Sequence, residues 1–416
     1  MHTALLCVLA WSIALPSSGA DYLPSYAPAF EINPEKSILG SRYGGNGLNW
    51  GEQDGAFFFR MQNRLQTRFA TPFDADPRTL DDLRSDDSEL VFRRVRTMLS
   101  GNLGSPDLNF DIQYDWLDLF ARNAAVIYHW NHGLNLWAGR GKVMYNDERA
   151  VSSGRQQFVN RSIVSDVFTL DRQVGLQLHG RLFRDTAMDI DYALGAFGGE
   201  GLQVRRNESG RPMMTGMVRW NALGPRMAQQ QSDHMFTPLP SARITFGAMS
   251  GQGSCTKFES SPEGCTSLRG FIPSDQADGD QFELRQLLLE GKFNWRGLSI
   301  LSELHWKEVV DRSLSENDPW RKTRLRGGFI QGGVMLRKFV FDLPPGVEVA
   351  ARYAYVDPDD PRGTDDQREI SAVVNWLLDG HNNKLSAELS HLTVGDPAFQ
   401  ETDARLRFRV QWELRF

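Results

Sequence analysis

The sequence is poor in cysteine, lacks long apolar runs and carries no catalytic signature. After Ala20 there is no run of 18 apolar residues, so no helix of the remaining chain is apolar enough to span a bilayer. No H-E-x-x-H, G-x-S-x-G or Walker loop occurs, and the expectation is a protein that is not an enzyme. The run Gly44-Gly45-Asn46-Gly47 is a loop, because no strand–helix unit surrounds it as a nucleotide fingerprint requires. A formal net charge of −6 excludes a strongly basic nucleic-acid binder. Of three cysteines, Cys7 lies in the leader. Cys255 and Cys265 remain, too few for a metal site without nearby histidines, and the expectation is a disulfide between them in a loop. No metal and no cofactor is implied.

What is present begins with an export signal. Ala4 to Leu15 is an apolar stretch of the length of a signal-peptide core, and Ser18-Gly19-Ala20 supplies the small residues of a cleavage site. Residues 1–20 are therefore expected to be removed. Residues 21–55 hold three prolines and many glycines without helical period and read as an irregular lead-in, a periplasmic tail or part of a plug.

From residue 56 onward the chain alternates. Ala404, Leu406, Phe408, Val410, Trp412, Leu414 and Phe416 interleave with Arg405, Arg407, Arg409, Gln411, Glu413 and Arg415. Period two marks a strand with one apolar and one polar face. Its length exceeds the five or six residues usual in soluble sheets and suits the 9–11 of a tilted membrane strand. The same alternation predicts sixteen strands, near 57–70, 90–103, 108–118, 122–130, 134–141, 172–183, 187–198, 212–222, 240–250, 281–294, 297–309, 323–338, 346–356, 366–378, 384–395 and 404–416. Around 282–294 the apolar set changes phase between Leu284 and Leu287, and a bulge is expected there. The fold class is all-β: a transmembrane antiparallel up-and-down barrel of about 16 strands, which must close because an open edge in lipid leaves backbone groups unpaired. Connections alternate between short and long, so the long ones fall on the outer side; 223–239 breaks the rule. Tyr114, Trp116, Trp376 and Trp412 near strand ends fit interfacial girdles or core positions alike. His129 and His132 flank a turn and read as structural.

The polar faces carry the functional signal. Arg60, Arg64 and Arg68 share a face of the first strand with Gln62 and Gln66, and Arg94 and Arg96 share a face of the second. Arginine on the lipid face costs about 2–4 kcal/mol at the midplane, so these must face the lumen. Arg405, Arg407 and Arg409 join them, since first and last strands are neighbours in a closed barrel. Such a wall either binds anions through guanidinium forks or acts as a general electrostatic barrier to cations. The segment 142–171, with Lys142, Arg149, Arg155 and Arg161 against Asp147, Glu148, Asp166 and Asp171, is net basic and expected to fold inward as a constriction. Two segments are acidic: 71–89, with Asp74, Asp76, Asp81, Asp82, Asp86, Asp87 and Glu89, and 357–366. They read as outer loops, either holding divalent cations beside lipopolysaccharide or merely solvated.

Phe92-Arg93-Arg94, Gly139-Arg140, Glu148-Arg149 before Ser152-Ser153, Arg161 and Val174-Gly175-Leu176-Gln177 resemble, in order and spacing, the phosphate-selective porins O and P. The resemblance is densest over 57–182. It implies a homotrimer of 16-stranded outer-membrane barrels with an arginine ladder and a central phosphate site. It places the site arginines at Arg93 and Arg94 and the inner-loop cation at Arg149, with Arg140 and Lys142 among the pore lining. A family lysine falls at Asn109 and an aspartate near Arg122. The implied function is passive diffusion of small anions, phosphate or polyphosphate among them. The alternative is a general or organic-solute porin on the same scaffold. The implied partners are outer-membrane lipid, lipopolysaccharide and small anionic solutes, with no nucleic acid.

Overall fold

The structure is a computed structural model that describes residues 42–44, 47–51, 55, 57–202, 207, 209–260, 264–266, 268, 280–338, 343–344, 346–358, 364–397 and 399–416. The leader and residues 21–41 lie outside the described residues.

Sixteen strands form one barrel: β1 (Phe57–Thr71), β2 (Glu89–Leu103), β3 (Leu108–Asp115), β4 (Phe120–Asn131), β5 (Leu134–Lys142), β6 (Arg172–Leu182), β7 (Ile190–Phe197), β8 (Met213–Leu223), β9 (Ser241–Gly253), β10 (Phe282–Trp295), β11 (Leu298–Asp311), β12 (Lys322–Met335), β13 (Val347–Asp357), β14 (Gln367–His381), β15 (Asn383–Asp396) and β16 (Glu401–Arg415). Each pairs antiparallel with the next in chain order. β16 closes on β1 in a register from Phe408 opposite Thr71 to Arg415 opposite Arg64. The terminal Phe416 adds a reciprocal backbone pair with Asn63, at 2.6 and 3.0 Å. Closure leaves no sheet edge over this stretch, which is what a backbone surrounded by lipid demands.

Burial is inverted relative to a water-soluble protein. On β14 the buried side chains include Glu369, Ser371 and Asn375, while Ile370 and Val374 are 58% and 50% exposed. The exposed face of the barrel is apolar strand after strand: Phe92, Leu176, Phe246, Leu304, Ile330, Leu389, Leu406. Trp116, Trp376 and Trp412 belong to this outward face.

Three features differ from the sequence reading. First, β10 has no bulge. It pairs in unbroken register with β9 from Phe282 to Asn294 and with β11 from Phe282 to Trp295. Leu284 and Leu288 face inward because they join an apolar cluster built on the inner loop, with Val164, Val167 and Phe168, and this explains the phase change. Register shifts occur elsewhere, and at two of them Arg93 of β2 and Arg122 of β4 are the extra residues, between pairs Gln66–Arg94 and Thr67–Phe92 and between Gln113–Asn123 and Tyr114–Ala121. Second, part of the lead-in is regular. Arg42–Gly44 and Gly47–Gly51 form a hairpin whose second strand pairs with Phe58 to Met61, covering the edge of β1 that β16 does not reach. Gly44 pairs with Gly47 at its tip. Third, the acidic segment after β1 is not a solvated loop. A short helix α1 (Leu80–Arg84) buries Leu80 and Leu83, and Asp74 and Asp76 turn toward the arginines. The segment 224–240 also folds inward from the short-turn end, with Gln230 to Asp233 buried. Its length thus serves the lumen.

Candidate functional site

The segment between β5 and β6 lies inside the barrel. It contains α2 (Asp147–Ala150), a 3-10 turn (Ser153–Arg155) and α3 (Ile163–Phe168), most of whose residues are buried. Short helices leave amide groups without internal partners, and a helix end enclosed in a lumen must find them elsewhere. Glutamates on the lumen face of the far strands supply them. Glu290 of β10 accepts from the Asp147 amide, and Glu303 of β11 from the Glu148 amide at 2.8 Å. Glu369 of β14 accepts from the Ile163 amide at 3.1 Å, and Glu388 of β15 from the Val159 amide at 2.8 Å. Glu348 of β13 takes the Gln157 side chain at 2.8 Å. Carbonyls of the loop are met in turn by Lys384 at Gln156, Lys307 at Val167 and Gln286 at Phe168, at 2.7, 3.0 and 2.6 Å. From below, Gln231 grips the loop through the Gln157 amide and the Arg155 carbonyl, at 2.9 and 3.0 Å. The acidic wall β10–β15 thus anchors the loop, and the free lumen is left on the side of β16 and β1–β6.

On that side the arginines separate into two groups. The upper group is neutralised. Arg68 pairs with Asp74 at 2.8 Å and bonds Gln411. Arg407 pairs with Asp76 at 2.9 Å, Arg409 with Glu388, and Arg405 with Asp86. Burial alone would raise the Asp74 pKa, but Arg68, Arg409 and Arg93 outweigh it and hold it at about 2. Among the described residues these four arginines do not border the cavity.

The second group borders a cavity of about 500 Å³, lined by twelve cationic side chains and six carboxylates. Arg60, Arg64, Arg93, Arg94, Arg96, Lys142 and Arg149 are among the twelve. Some are locally balanced. Arg64 meets Glu413 at 2.9 Å, Arg96 meets Asp115 at 2.7 Å, and Arg149 meets Asp171. Burial would raise the Asp171 pKa as well, yet Arg149 and Arg172 bring it to about 2. Four have no carboxylate within ion-pair distance among the described residues: Arg94, Lys142, Arg161 and Arg415. Arg94 donates to Gln66 Oε1 at 2.5 Å. Lys142 Nζ donates to the Ala150 and Val151 carbonyls at 3.1 and 3.0 Å, and Arg161 to the Glu148 and Val151 carbonyls at 2.9 and 3.0 Å. Arg415 Nε has no hydrogen-bond partner among the described residues. Burial, then the positive charge of Arg149, pushes the Arg161 pKa well below the usual arginine range. A small anion entering here relieves that repulsion.

The sequence-derived site residues therefore divide. Arg93, Arg94 and Arg149 line one cavity. Arg93 occupies the bulge position and lies 3.7 Å from Asp74, which settles how two adjacent arginines serve the same side. Arg140 shares the outward parity of Ala124, its pair partner, and bonds the Ala121 carbonyl at 3.1 Å; it does not border the cavity. Asn109 borders it, as does Arg122, whose inward aim comes from its bulge and which pairs with Asp115 at 2.5 Å. Arg172 and Arg415 were not singled out. Arg172 is out of phase with its strand, while Arg415 sits on the same polar face as Arg405 to Arg409 and was legible there. Cys255 is buried and disulfide-bonded. The Cys265 side chain lies outside the described residues. His129 bonds Asn135 at 2.7 Å, a wall contact.

No family model matches the chain, and no curated protein matches it in sequence. Solved structures do share its fold. The outer membrane channel DcaP of Acinetobacter baumannii is similar at 11% identity and a TM-score of 0.55, over 88% of this chain and 99% of that one. A loop-deleted OmpT, an outer membrane protein of Vibrio cholerae, is similar at 11% identity and a TM-score of 0.54, over 87% and 100%. The anion-selective porin from Comamonas acidovorans is similar at 12% identity and a TM-score of 0.50, over 86% and 99%. The likeness is one of barrel architecture.

Proposed function

We propose that this chain is a porin of the bacterial outer membrane, exported through the periplasm, that passes small anions by diffusion through an arginine-lined lumen. Two physical features support the membrane setting. The barrel exterior is apolar, and leaving it in water would cost about 25 cal/mol for every Å². Every barrel strand finds both neighbours, as lipid requires. The observation that carries the anion reading is the cavity itself, where twelve cations face six carboxylates and four of the cations lack a carboxylate partner among the described residues. Outward-facing side chains contact lipid, loop-end charges meet lipopolysaccharide, and assembly as a homotrimer accords with the resemblance noted from sequence. Phosphate and polyphosphate are solutes of the right charge; guanidinium forks match their oxygens.

A second reading has one observation in its favour. Arg68, Arg405, Arg407 and Arg409 are matched by carboxylates, so much of the ladder carries no net field. A general porin would need no more than this. Reversal potential across a KCl gradient decides between them. Chloride permeating several times better than potassium is the expected result. A ratio near unity establishes the general porin, and a cation preference overturns the anion reading altogether.

A further inference from the structure

The cavity is not lined by charge alone. Ile127 of β4 and Trp137 of β5 are direct cross-strand partners, both on the lumen face and both cavity-lining. Above Trp137 the lumen positions of β5 are Gly139 and Gly141, which have no side chains. A Cβ placed on Gly141 would lie 2.8 Å from Trp137 Cζ2. The indole therefore lies along the wall over bare backbone rather than across the lumen. Phe110 of β3, Met98 of β2 and Phe58 of β1 continue the apolar lining. Lys142, one residue beyond Gly141, and Arg161 of the inner loop border the same cavity.

An inorganic anion has no use for an aromatic floor. It gains from cations and water, and an indole in its path only removes water. A floor of indole and isoleucine beside cations that have no carboxylate partner among the described residues fits a solute with two ends. Resting on the anion reading above, we propose that the preferred solutes are organic anions with an apolar, planar body, aromatic carboxylates in particular. The carboxylate is met by Lys142, Arg161 and Arg94, and the ring lies on Trp137 and Ile127. Ring-on-ring contact and guanidinium attraction act at once, because the cations and the floor belong to one space.

The test uses the purified full-length barrel in planar bilayers. Bi-ionic potentials with potassium benzoate opposite potassium acetate give the ratio of the two permeabilities. Benzoate is the larger and slower ion in water, so a ratio above unity is the expected result and one below unity overturns the proposal. Trp137→Ala should lower the ratio by about threefold to tenfold, the factor that an aromatic contact commands. An unchanged ratio in that variant also overturns it. Should Trp137→Ala fail to assemble, Ile127→Ala carries the same reading from the adjacent strand. The KCl reversal potential on the same bilayers keeps the two ideas apart. Anion preference with a benzoate ratio below unity removes only the aromatic floor, whereas cation preference removes the anion reading on which it stands.

Discussion

Replacing Arg94 by alanine isolates the charge that the cavity leaves uncompensated. The guanidinium donates to Gln66 and has no carboxylate within ion-pair distance among the described residues, so its removal strands no buried anion. An anion about 5 Å away gains roughly 1–3 kcal/mol from one positive charge, for an effective dielectric between about 80 and 20. The lumen is wet and eleven other cations line it, so the low end applies. About 1 kcal/mol corresponds to about a fivefold fall in the chloride-to-potassium permeability ratio. Salt supplies an internal check. At 0.1 M the screening length is about 10 Å and the full effect should appear; at 1 M it is about 3 Å and most of the effect should vanish. Folded yield, read from the heat-dependent gel mobility of the barrel, should stay near that of the unmodified protein. A ratio unchanged at 0.1 M would mean that Arg94 does not act on permeating ions, and the reasoning from unpaired charge would fail.

Arg409→Ala should behave oppositely: it leaves Glu388 and Asp74 short of a partner, and breaking a buried pair costs about 3–5 kcal/mol, so the yield of folded barrel falls. Asp74, with its folded pKa lowered to about 2, stabilises the segment after β1 above the ordinary carboxylate range and loses that contribution as pH falls through about 2. Asp74→Asn removes it at neutral pH, about 2 kcal/mol, and limited proteolysis of residues 72–88 should accelerate at pH 7; equal rates in both proteins would contradict the clamp. Cys255 and Cys265 should form one disulfide, so intact mass after thiol alkylation without reductant should show no added label; two labels would refute the pairing.

The strands were legible because each of them faces two different solvents. Lipid on one side and lumen on the other impose period two over eight to fifteen residues, and no soluble core blurs it. The pairing of the last strand with the first followed from closure alone. The inward course of the segment after β5 was legible from its length and charge. Its support was not. Glu290, Glu303, Glu348, Glu369 and Glu388 each read as one more polar residue on a polar face, and their partners lie from 143 to 229 residues away in the chain. Leu284 and Leu288 misled for the same reason: a lumen filled by its own loop has an apolar centre, so an inward leucine is correct there and looks like a slip of phase. The acidic segment 71–89 reads as an outer loop, cation-holding or solvated, because composition carries no direction. Leu80 and Leu83 were the signal that it turns inward.

The two walls of the lumen depend on each other. A loop packed against one wall of the barrel buries backbone donors away from water, so acceptors on that wall must meet them, and here they are carboxylates. Those carboxylates accept from backbone amides and, at Glu388 and Glu369, also pair with Arg409 and Arg352; among the described residues none of them pairs with Arg94, Lys142, Arg161 or Arg415. The same loop that fills the acidic half therefore leaves the opposite half with more cations than anions, even though the chain as a whole carries a net charge of −6. Net charge says nothing about the sign of the passage. What sets it is which charges are already bound to the protein itself, and among the described residues those left over are Arg94 of β2, Lys142 of β5, Arg161 of the inner loop and Arg415 of β16.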